Sequence, residues 1–332
     1  MRAIIHTAFG APREVLAIGD VDHPTPGPAE VLVRVRASAV AKGIWLITQG
    51  LPYIARPAYG LRAPKQPVAG LAFAGTVDAV GEAVTDFAVG DDVFGYHAGA
   101  LAEFVAVPPD ALARKPDRVS FEEAAAAPVS GLAALQAVRD SGKVEEGHRV
   151  LVIGASGGVG SFAVQIARAY GAEVTGVAST RNLALVRSLG ADHAIDYTRE
   201  DPLAGERRYD VVIDIAGNRR VSRLRRVLAP GGTLVMVGGT GGRWTMGFGR
   251  TVRGMLLSPF VRERIVGLIS EPNPRDLRAL AVLMEAGKLA PAVERTVPFT
   301  AAAEAVEEAG SGHASGTIVV RVRQRALSDG PR

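Results

Sequence analysis

At 332 residues, 48% hydrophobic and 22% charged, the chain exceeds what one ordinary core organises, so a globular protein of two domains is expected. It has no cysteine, which excludes disulfides, thiolate nucleophiles and every cysteine-ligated zinc centre. A formal charge of +4, from 38 basic and 34 acidic residues, suits an anionic small ligand, and no Lys/Arg block is long enough for a nucleic-acid tract. The longest uncharged stretch, Ala124 to Val138, contains Pro128 and Gly131, and the N-terminus lacks a signal-peptide pattern. The expectation is a cytoplasmic protein with neither a membrane nor a nucleic-acid partner.

From Met1 to about Pro116 the sequence is short-patterned and rich in turns. In "EVLVRVRASAV", Val31, Val33 and Val35 alternate with Arg34 and Arg36, which predicts a half-buried strand. "LAFAGTVDAVG", "DDVFGY" and "LAEFVAVP" predict further strands of a mostly β unit. At Ser120 the pattern changes, because "SFEE" forms a capping box that opens an alanine-rich helix. Strand and helix then alternate. "RVLVIG" precedes a helix carrying Val159, Phe162, Ala163, Ile166, Ala167 and Tyr170 on one face and stopped by Gly171. "EVTGVA" precedes a short helix with Leu183, Val186 and Leu189, closed by Gly190. "YDVVIDIAG" precedes a helix through Leu224 and Leu228, with "PGG" as its stop before the strand "TLVMVGG". This alternation of apolar strands with helices predicts a doubly wound parallel sheet, an α/β fold. Asn273 and Pro274 start one more helix, through Leu277, Leu280 and Met284 to Gly287. "VERTVPF" and "GTIVVRV" are strands again, so the last forty or so residues are expected to return to the first unit. Arg321, Arg323 and Arg325 alternate with valines there and are expected on the solvated face of an edge strand.

The segment "GASGGVG", Gly154 to Gly160, lies between a strand and a helix, the setting that turns free amides and a helix dipole toward a pyrophosphate. Ala155 takes the first glycine position of G-x-G-x-x-G; Gly157 allows close backbone approach, and Gly160 lets the helix pack on the sheet. About 20 residues on, an NAD site places an acid on the ribose, yet no acid occurs from Val174 to Ala191. The strand ends instead in Ser179, Thr180 and Arg181: two hydroxyl donors and a planar cation that suit a 2′-phosphate. The expected cofactor is NADPH.

With these motifs, and with "PTPGPAEVLVRVRASAV", "AGTVDAVGEAVTDFAVGDDVFG" and "LVRSLGADHAIDYTRED", the chain resembles the medium-chain dehydrogenase/reductase superfamily in its zinc-free quinone oxidoreductase and enoyl reductase branch. The resemblance implies a GroES-like, β-rich catalytic domain over residues 1–120 and 291–332, a Rossmann domain over 121–290, and a homodimer or tetramer, of which the homodimer is expected. In zinc-dependent members "SAVAKGIW" carries a cysteine ligand and "GLAFAG" a histidine followed by glutamate. Ala41, Leu71 and Ala72 stand at those positions, none of them a metal ligand, so no metal is expected. Ala41 also replaces an asparagine usual in quinone reductases. Residues Ala41 and Lys42 then fall where relatives approach the cofactor; a surface lysine on a turn is the alternative for Lys42.

The resemblance further places Val129 and Ser130 by the nicotinamide, Gly158 and Val159 in the glycine loop, and Tyr197 near the 2′-phosphate. Gly217, Gly238 and Gly239 end later strands at the ligand-binding edge, or serve turn geometry alone. The loop with six glycines from Gly238 to Gly249 and Trp244 is a lid or an oligomer contact. Tyr53 is the leading donor for a developing oxyanion or a stacking ring, with loop packing as its other reading; Tyr96 and His97 are alternatives. His6, His23, His148, His193 and His313 lack ligand spacing and are expected to be structural or exposed. Without a Lewis acid, hydride delivery to a conjugated acceptor is the chemistry that fits. The expected function is NADPH-dependent, zinc-independent reduction of a small quinone or α,β-unsaturated carbonyl. Alternatives are an alcohol or aldehyde oxidoreductase, and a non-catalytic NADPH-binding, zeta-crystallin-like protein.

Overall fold

The computed structural model describes residues 1–312 and 315–322. The chain begins β1 (Arg2–Ile5), α1 (Pro12–Val15), β2 (Ala17–Asp20), β3 (Val31–Val40), α2 (Lys42–Gln49), α3 (Arg56–Tyr59), β4 (Ala72–Val80), β5 (Asp92–Tyr96), β6 (Phe104–Val107) and β7 (Leu112–Arg114). Helix α4 (Phe121–Leu135) follows, continued by a π-helical turn, Gln136–Ser141. Then come β8 (Arg149–Ile153), α5 (Gly158–Ala169), β9 (Glu173–Ala178), α6 (Leu183–Ser188), β10 (His193–Asp196), β11 (Tyr209–Asp214), α7 (Val221–Arg225), β12 (Leu228–Met236), α8 (Phe248–Leu257), β13 (Arg264–Gly267) and α9 (Pro274–Glu285). The last elements are β14 (Val293–Pro298), α10 (Ala302–Gly310) and β15 (Thr317–Arg321).

Six strands form a wholly parallel sheet in the order β10-β9-β8-β11-β12-β13, the order expected of a doubly wound dinucleotide fold. Its inner strands β9, β8 and β11 are buried on both faces, which is why they read as near-continuous apolar runs. Val150 and Val152 of β8 face α4 and α5, while Leu151 and Ile153 face the cluster with Leu224 and Leu234. A second sheet of seven strands runs β14-β15-β3-β4-β5-β7, with β6 paired to β3. Here β15 lies antiparallel to β3, so the end of the chain is built into the sheet of its beginning.

Helix α4 joins the two sheets. Ser120 caps it as the sequence predicts: its Oγ accepts from the Glu123 amide at 3.2 Å, and Glu123 accepts from the Ser120 amide at 2.9 Å. Ala124, Ala125, Ala126 and Ala127 are all buried, in one cluster with Ala37, Ala72, Ala74 and Phe94 of the mixed sheet and Val150, Phe162 and Ile213 of the parallel unit. Arg321 of β15 also reaches α4, placing Nε and Nη2 at 2.9 and 2.7 Å from one Glu122 oxygen.

Two local expectations are corrected. Leu228 and "PGG" belong to β12, not to a helix and its stop, because α7 ends at Arg225 and Pro230, Gly231 and Gly232 form an irregular start where β12 shifts register against β11. Strand β15 is not an edge strand; β14 covers it on one side and β3 on the other. Arg323, Arg325 and His313 lie outside the described residues. No helix among the described residues is long and apolar enough to cross a membrane.

At the start of α9 the buried Asp276 accepts from Gln136 Nε2 at 2.8 Å and Asn273 Nδ2 at 2.9 Å, and pairs with Arg139 Nη2 at 2.7 Å. Burial pushes its pKa up, but these donors outweigh burial and hold the carboxyl below its ordinary value. A depressed pKa means stability that is complete above the unfolded-state value, about 3.9, and lost as pH falls through the folded value. Asp276→Asn should therefore cost about 2 kcal/mol at pH 7, with the difference in urea midpoint closing in strong acid; a difference independent of pH would contradict the assignment.

Candidate active site

Three groups of residues meet at the carboxyl edge of the parallel sheet. The first is the glycine loop. Gly154 has φ +91°, and the amides of Gly154 and Ala155 donate to the Val177 carbonyl at 3.2 and 3.0 Å, pinning the loop to β9. A methyl group at Gly160 would lie 2.0 Å from the Gly154 carbonyl oxygen, so only glycine lets α5 begin directly on the strand end. Gly157 is the N-cap of α5 and no side chain caps the helix, which leaves the first amides, Gly158, Val159 and Gly160, at the positive end of its dipole. Gly158 faces the buried Ser130 of α4: a methyl there would stand 3.1 Å from Ser130 Oγ and 3.4 Å from Thr317 Oγ1. Thr317 Oγ1 is buried without a hydrogen-bond partner. Uncapped amides beside an unsatisfied hydroxyl, with no room for a Cβ at Gly160 and little at Gly158, fit a dinucleotide pyrophosphate.

The second group lies at the ends of β9 and β10, where the Tyr197 amide donates to the Ala178 carbonyl at 3.1 Å. Ser179, Thr180, Arg181 and Tyr197 are therefore neighbours, with the Tyr197 ring half exposed. Thr180 Oγ1 donates to Asp196 at 2.5 Å, so in this structure its proton is directed at a carboxylate. Asp196 also accepts from the Thr198 amide and hydroxyl at 2.9 and 2.7 Å and stands 3.6 Å from Arg199 Nε. The Thr180 and Thr198 hydroxyls hold its pKa below the ordinary range. An acid thus does reach this turn, from the neighbouring strand, with its charge already balanced.

Asn182, which the sequence reading passed over, is buried in the same turn. Its Nδ2 donates to Ser156 Oγ at 3.0 Å, and its Oδ1 accepts from Ser315 Oγ at 2.8 Å. One amide thereby ties the glycine loop to the segment entering β15. The only sequence signal was a polar residue following "STR" at the head of an apolar helix.

The third group is at the ends of β11 and β12. A methyl at Gly217, φ +67°, would lie 2.5 Å from the Gly238 carbonyl, and one at Gly239 2.3 Å from the Met246 oxygen. Fully buried Asp214 accepts from the Gly217 amide at 3.0 Å, and Arg250 Nη1 approaches its other oxygen to 2.8 Å. The same nitrogen donates to the Arg219 carbonyl, 2.7 Å away. Arg250 anchors the end of the glycine-rich loop, since Nη2 also donates to Gly238 at 3.3 Å.

This loop crosses to the other half of the molecule. The Tyr53 amide donates to the Arg243 carbonyl at 3.0 Å and the Ile54 amide to that of Trp244 at 3.3 Å, while the Tyr53 and Trp244 rings meet edge to face at 5.5 Å. Tyr53 therefore sits beneath the tip of the loop. Ala41 is the N-cap of α2 and Lys42, exposed, its first residue. Leu71 and Ala72 lead into β4 beside Tyr96 and His97: β5 pairs Tyr96 with Ala72, and the His97 amide donates to the Leu71 carbonyl at 2.8 Å. Burial, assisted by Asp110, pushes the Tyr96 phenol pKa up. The side chains of Ala41, Leu71 and Ala72 hold no metal donor, and among the described residues no three His, Asp or Glu are grouped to hold an ion. The other described histidines have local partners. His6 Nε2 is 3.0 Å from the Gln66 oxygen, His23 packs on Phe104, His148 accepts from the Glu145 amide and His193 bonds Glu173. A cavity of about 520 Å³ around Gln136, Arg139, Asn273 and Asp276 includes none of the glycine-loop residues.

Two family models match the chain: the alcohol dehydrogenase GroES-like domain over residues 27–117 and the zinc-binding dehydrogenase over 189–320. The chain is 30% identical to the chloroplast envelope quinone oxidoreductase homolog of Arabidopsis thaliana, over 96% of this chain and 98% of that one. It is 32% identical to the NADPH-dependent alkenal/one oxidoreductase, chloroplastic, of the same organism, over 96% of this chain and 79% of the relative. The quinone oxidoreductase from Coxiella burnetii superposes with a TM-score of 0.85 at 30% identity, covering 97% and 99% of the two chains. Fold and site define a nicotinamide-dinucleotide oxidoreductase of small molecules. The chain belongs to the medium-chain dehydrogenase/reductase superfamily, in its quinone oxidoreductase-like branch. The side chains of Ala41, Leu71 and Ala72 carry no group that could bind zinc.

Because the approach of α5 to β8 leaves no space at Gly160, Gly160→Ala should weaken dinucleotide binding at least about tenfold, near 1.4 kcal/mol. Fluorescence titration with NADPH checks this, and an unchanged affinity would count against the assigned cradle.

Proposed function

We propose that the chain is an NADPH-dependent, zinc-independent reductase of quinones or α,β-unsaturated carbonyls, with residues 1–120 and 291–332 as its catalytic domain and 121–290 as its cofactor domain. The observation that carries the proposal is the pairing of a dinucleotide cradle with a catalytic half that has only carbon side chains at Ala41, Leu71 and Ala72. Bound NADPH would supply a hydride at its nicotinamide. In this reading the amides of Gly158 to Gly160 receive the pyrophosphate, which Gly157 lets approach closely, and Ser179 and Arg181 receive the 2′-phosphate beside Tyr197. Ser130, with Val129, fixes the nicotinamide end; Gly217, Gly238 and Gly239 keep the strand ends low enough for it to lie across them. Lys42 extends the positive rim.

A quinone or enone suits this site because conjugation spreads the incoming charge onto oxygen, so the protein needs a donor and an orientation more than a Lewis acid. Tyr53 is the proposed donor or stacking surface, and the activities for which the two Arabidopsis relatives are named support this acceptor class. An alcohol or aldehyde oxidoreductase is the second reading, favoured by the GroES-like alcohol dehydrogenase match. We also propose a homodimer: β13 is an outer strand of its sheet, and Phe260 and Ile269 beside it are 84% and 76% exposed.

Arg181→Glu should erase a preference for NADPH over NADH in kcat/KM, while Thr180→Val should move the ratio far less, its proton being directed at Asp196. An unchanged ratio in the Arg181 variant would remove the cofactor assignment. With a panel of quinones and enones, Tyr53→Phe should lower kcat about tenfold or more if the phenol donates. Turnover of alcohols alone with NADP⁺ would favour the second reading, and tight NADPH binding without any turnover a binding protein.

A further inference from the structure

Acidic residues are missing from two long stretches of the chain, Val31 to Val77 and Ile215 to Arg262. The fold joins these stretches at one place, the contact of Tyr53 and Ile54 with Arg243 and Trp244. Two guanidinium groups flank the Tyr53 ring there. Arg56 lies 4.6 Å from its centroid and 4.9 Å from that of Phe9 on the other side, and Arg243 lies 5.7 Å from Tyr53. Some arginines of the chain meet carboxylates, as in Arg2–Glu103, Arg139–Asp276, Arg250–Asp214 and Arg321–Glu122, and others on the surface, such as Arg226, do not. Arg56 and Arg243 form no ion pair among the described residues, and the only hydrogen bond from the Arg56 side chain runs from Nε to the Gly50 carbonyl at 3.1 Å. Its two terminal nitrogens make no hydrogen bond among the described residues, on a guanidinium within cation–π distance of two rings.

The phosphates of a dinucleotide do not explain these cations. The proposed pyrophosphate cradle is at Gly157 to Gly160 and the proposed 2′-phosphate turn at Ser179 to Arg181, whereas Arg56 and Arg243 stand at Tyr53, the proposed donor. We propose that the acceptor is itself an anion: a conjugated carbonyl compound whose carboxylate, remote from the reacting double bond, seats between Arg56 and Arg243 on the rim of Tyr53. This inference rests on the reductase reading and names its substrate class. A remote carboxylate contributes binding without altering the reacting bond, so its effect belongs mainly in KM.

The test uses the full-length enzyme with NADPH and a matched pair of straight-chain enones, one ending in a carboxylate and the other in its methyl ester. The carboxylate should have a kcat/KM about tenfold higher at low salt, with the advantage shrinking at high salt. Arg243→Ala should bring the ratio near one and Arg243→Glu should invert it. Arg226→Glu, the same change of charge on the exposed surface after α7, should leave the ratio as it was. Equal turnover of acid and ester, or a preference that survives Arg243→Glu, overturns the inference while leaving the reductase reading standing. Failure of every quinone and enone to turn over ends both.

Discussion

The buried alanine face of α4 is the constraint on which the rest of the molecule depends. Ala124 to Ala127 fill one continuous core with residues of both sheets, so the sheets are held at the short distance that a methyl side chain permits. Any larger side chain would push them apart and shift the glycine loop away from the catalytic half. The same helix carries Ser130 to Gly158 and reaches β15 through Glu122 and Arg321. The cleft is thus fixed by packing in its floor, while only backbone hydrogen bonds and ring contacts close its mouth at Tyr53 and Trp244.

Charge is arranged around that cleft in two ways. Deep carboxylates are balanced where they stand: Asp196 by two threonine hydroxyls, an amide and Arg199, and Asp214 by Arg250 and the Gly217 amide. A buried charge must be so paired, because desolvation without partners costs several kcal/mol, on the order of the stability of a domain. Arg56 and Arg243, by contrast, have no carboxylate partner among the described residues; Arg243 is exposed, and Arg56 is half-buried against Tyr53 and Phe9.

What was legible in the sequence was local. The capping box at Ser120, the stops at Gly171, Gly190 and Gly287, and the strand–glycine loop–helix unit depend on neighbours within a few positions, and periodicity revealed the parallel sheet. What was missed depends on pairs far apart in sequence. Asp196 reaches Thr180 across two strand ends, Asn182 reaches Ser315 across most of the second half of the chain, and Arg250 reaches Asp214 around a whole loop. Pro230 and the glycines after it were misread as a helix stop because turn residues announce a break in regular structure, without saying whether a bulged strand start can absorb it. The interior place of β15 was hidden for another reason: the strand beside it, β14, precedes it through α10 and runs parallel to it.

The most direct measurement is deuterium transfer from NADPH labelled at nicotinamide C4 to an enone, followed by NMR of the product, with and without a strong chelator. The account predicts deuterium on the β-carbon and the same rate after chelation. Absence of label from the β-carbon, or activity lost to the chelator and restored by zinc, would contradict it.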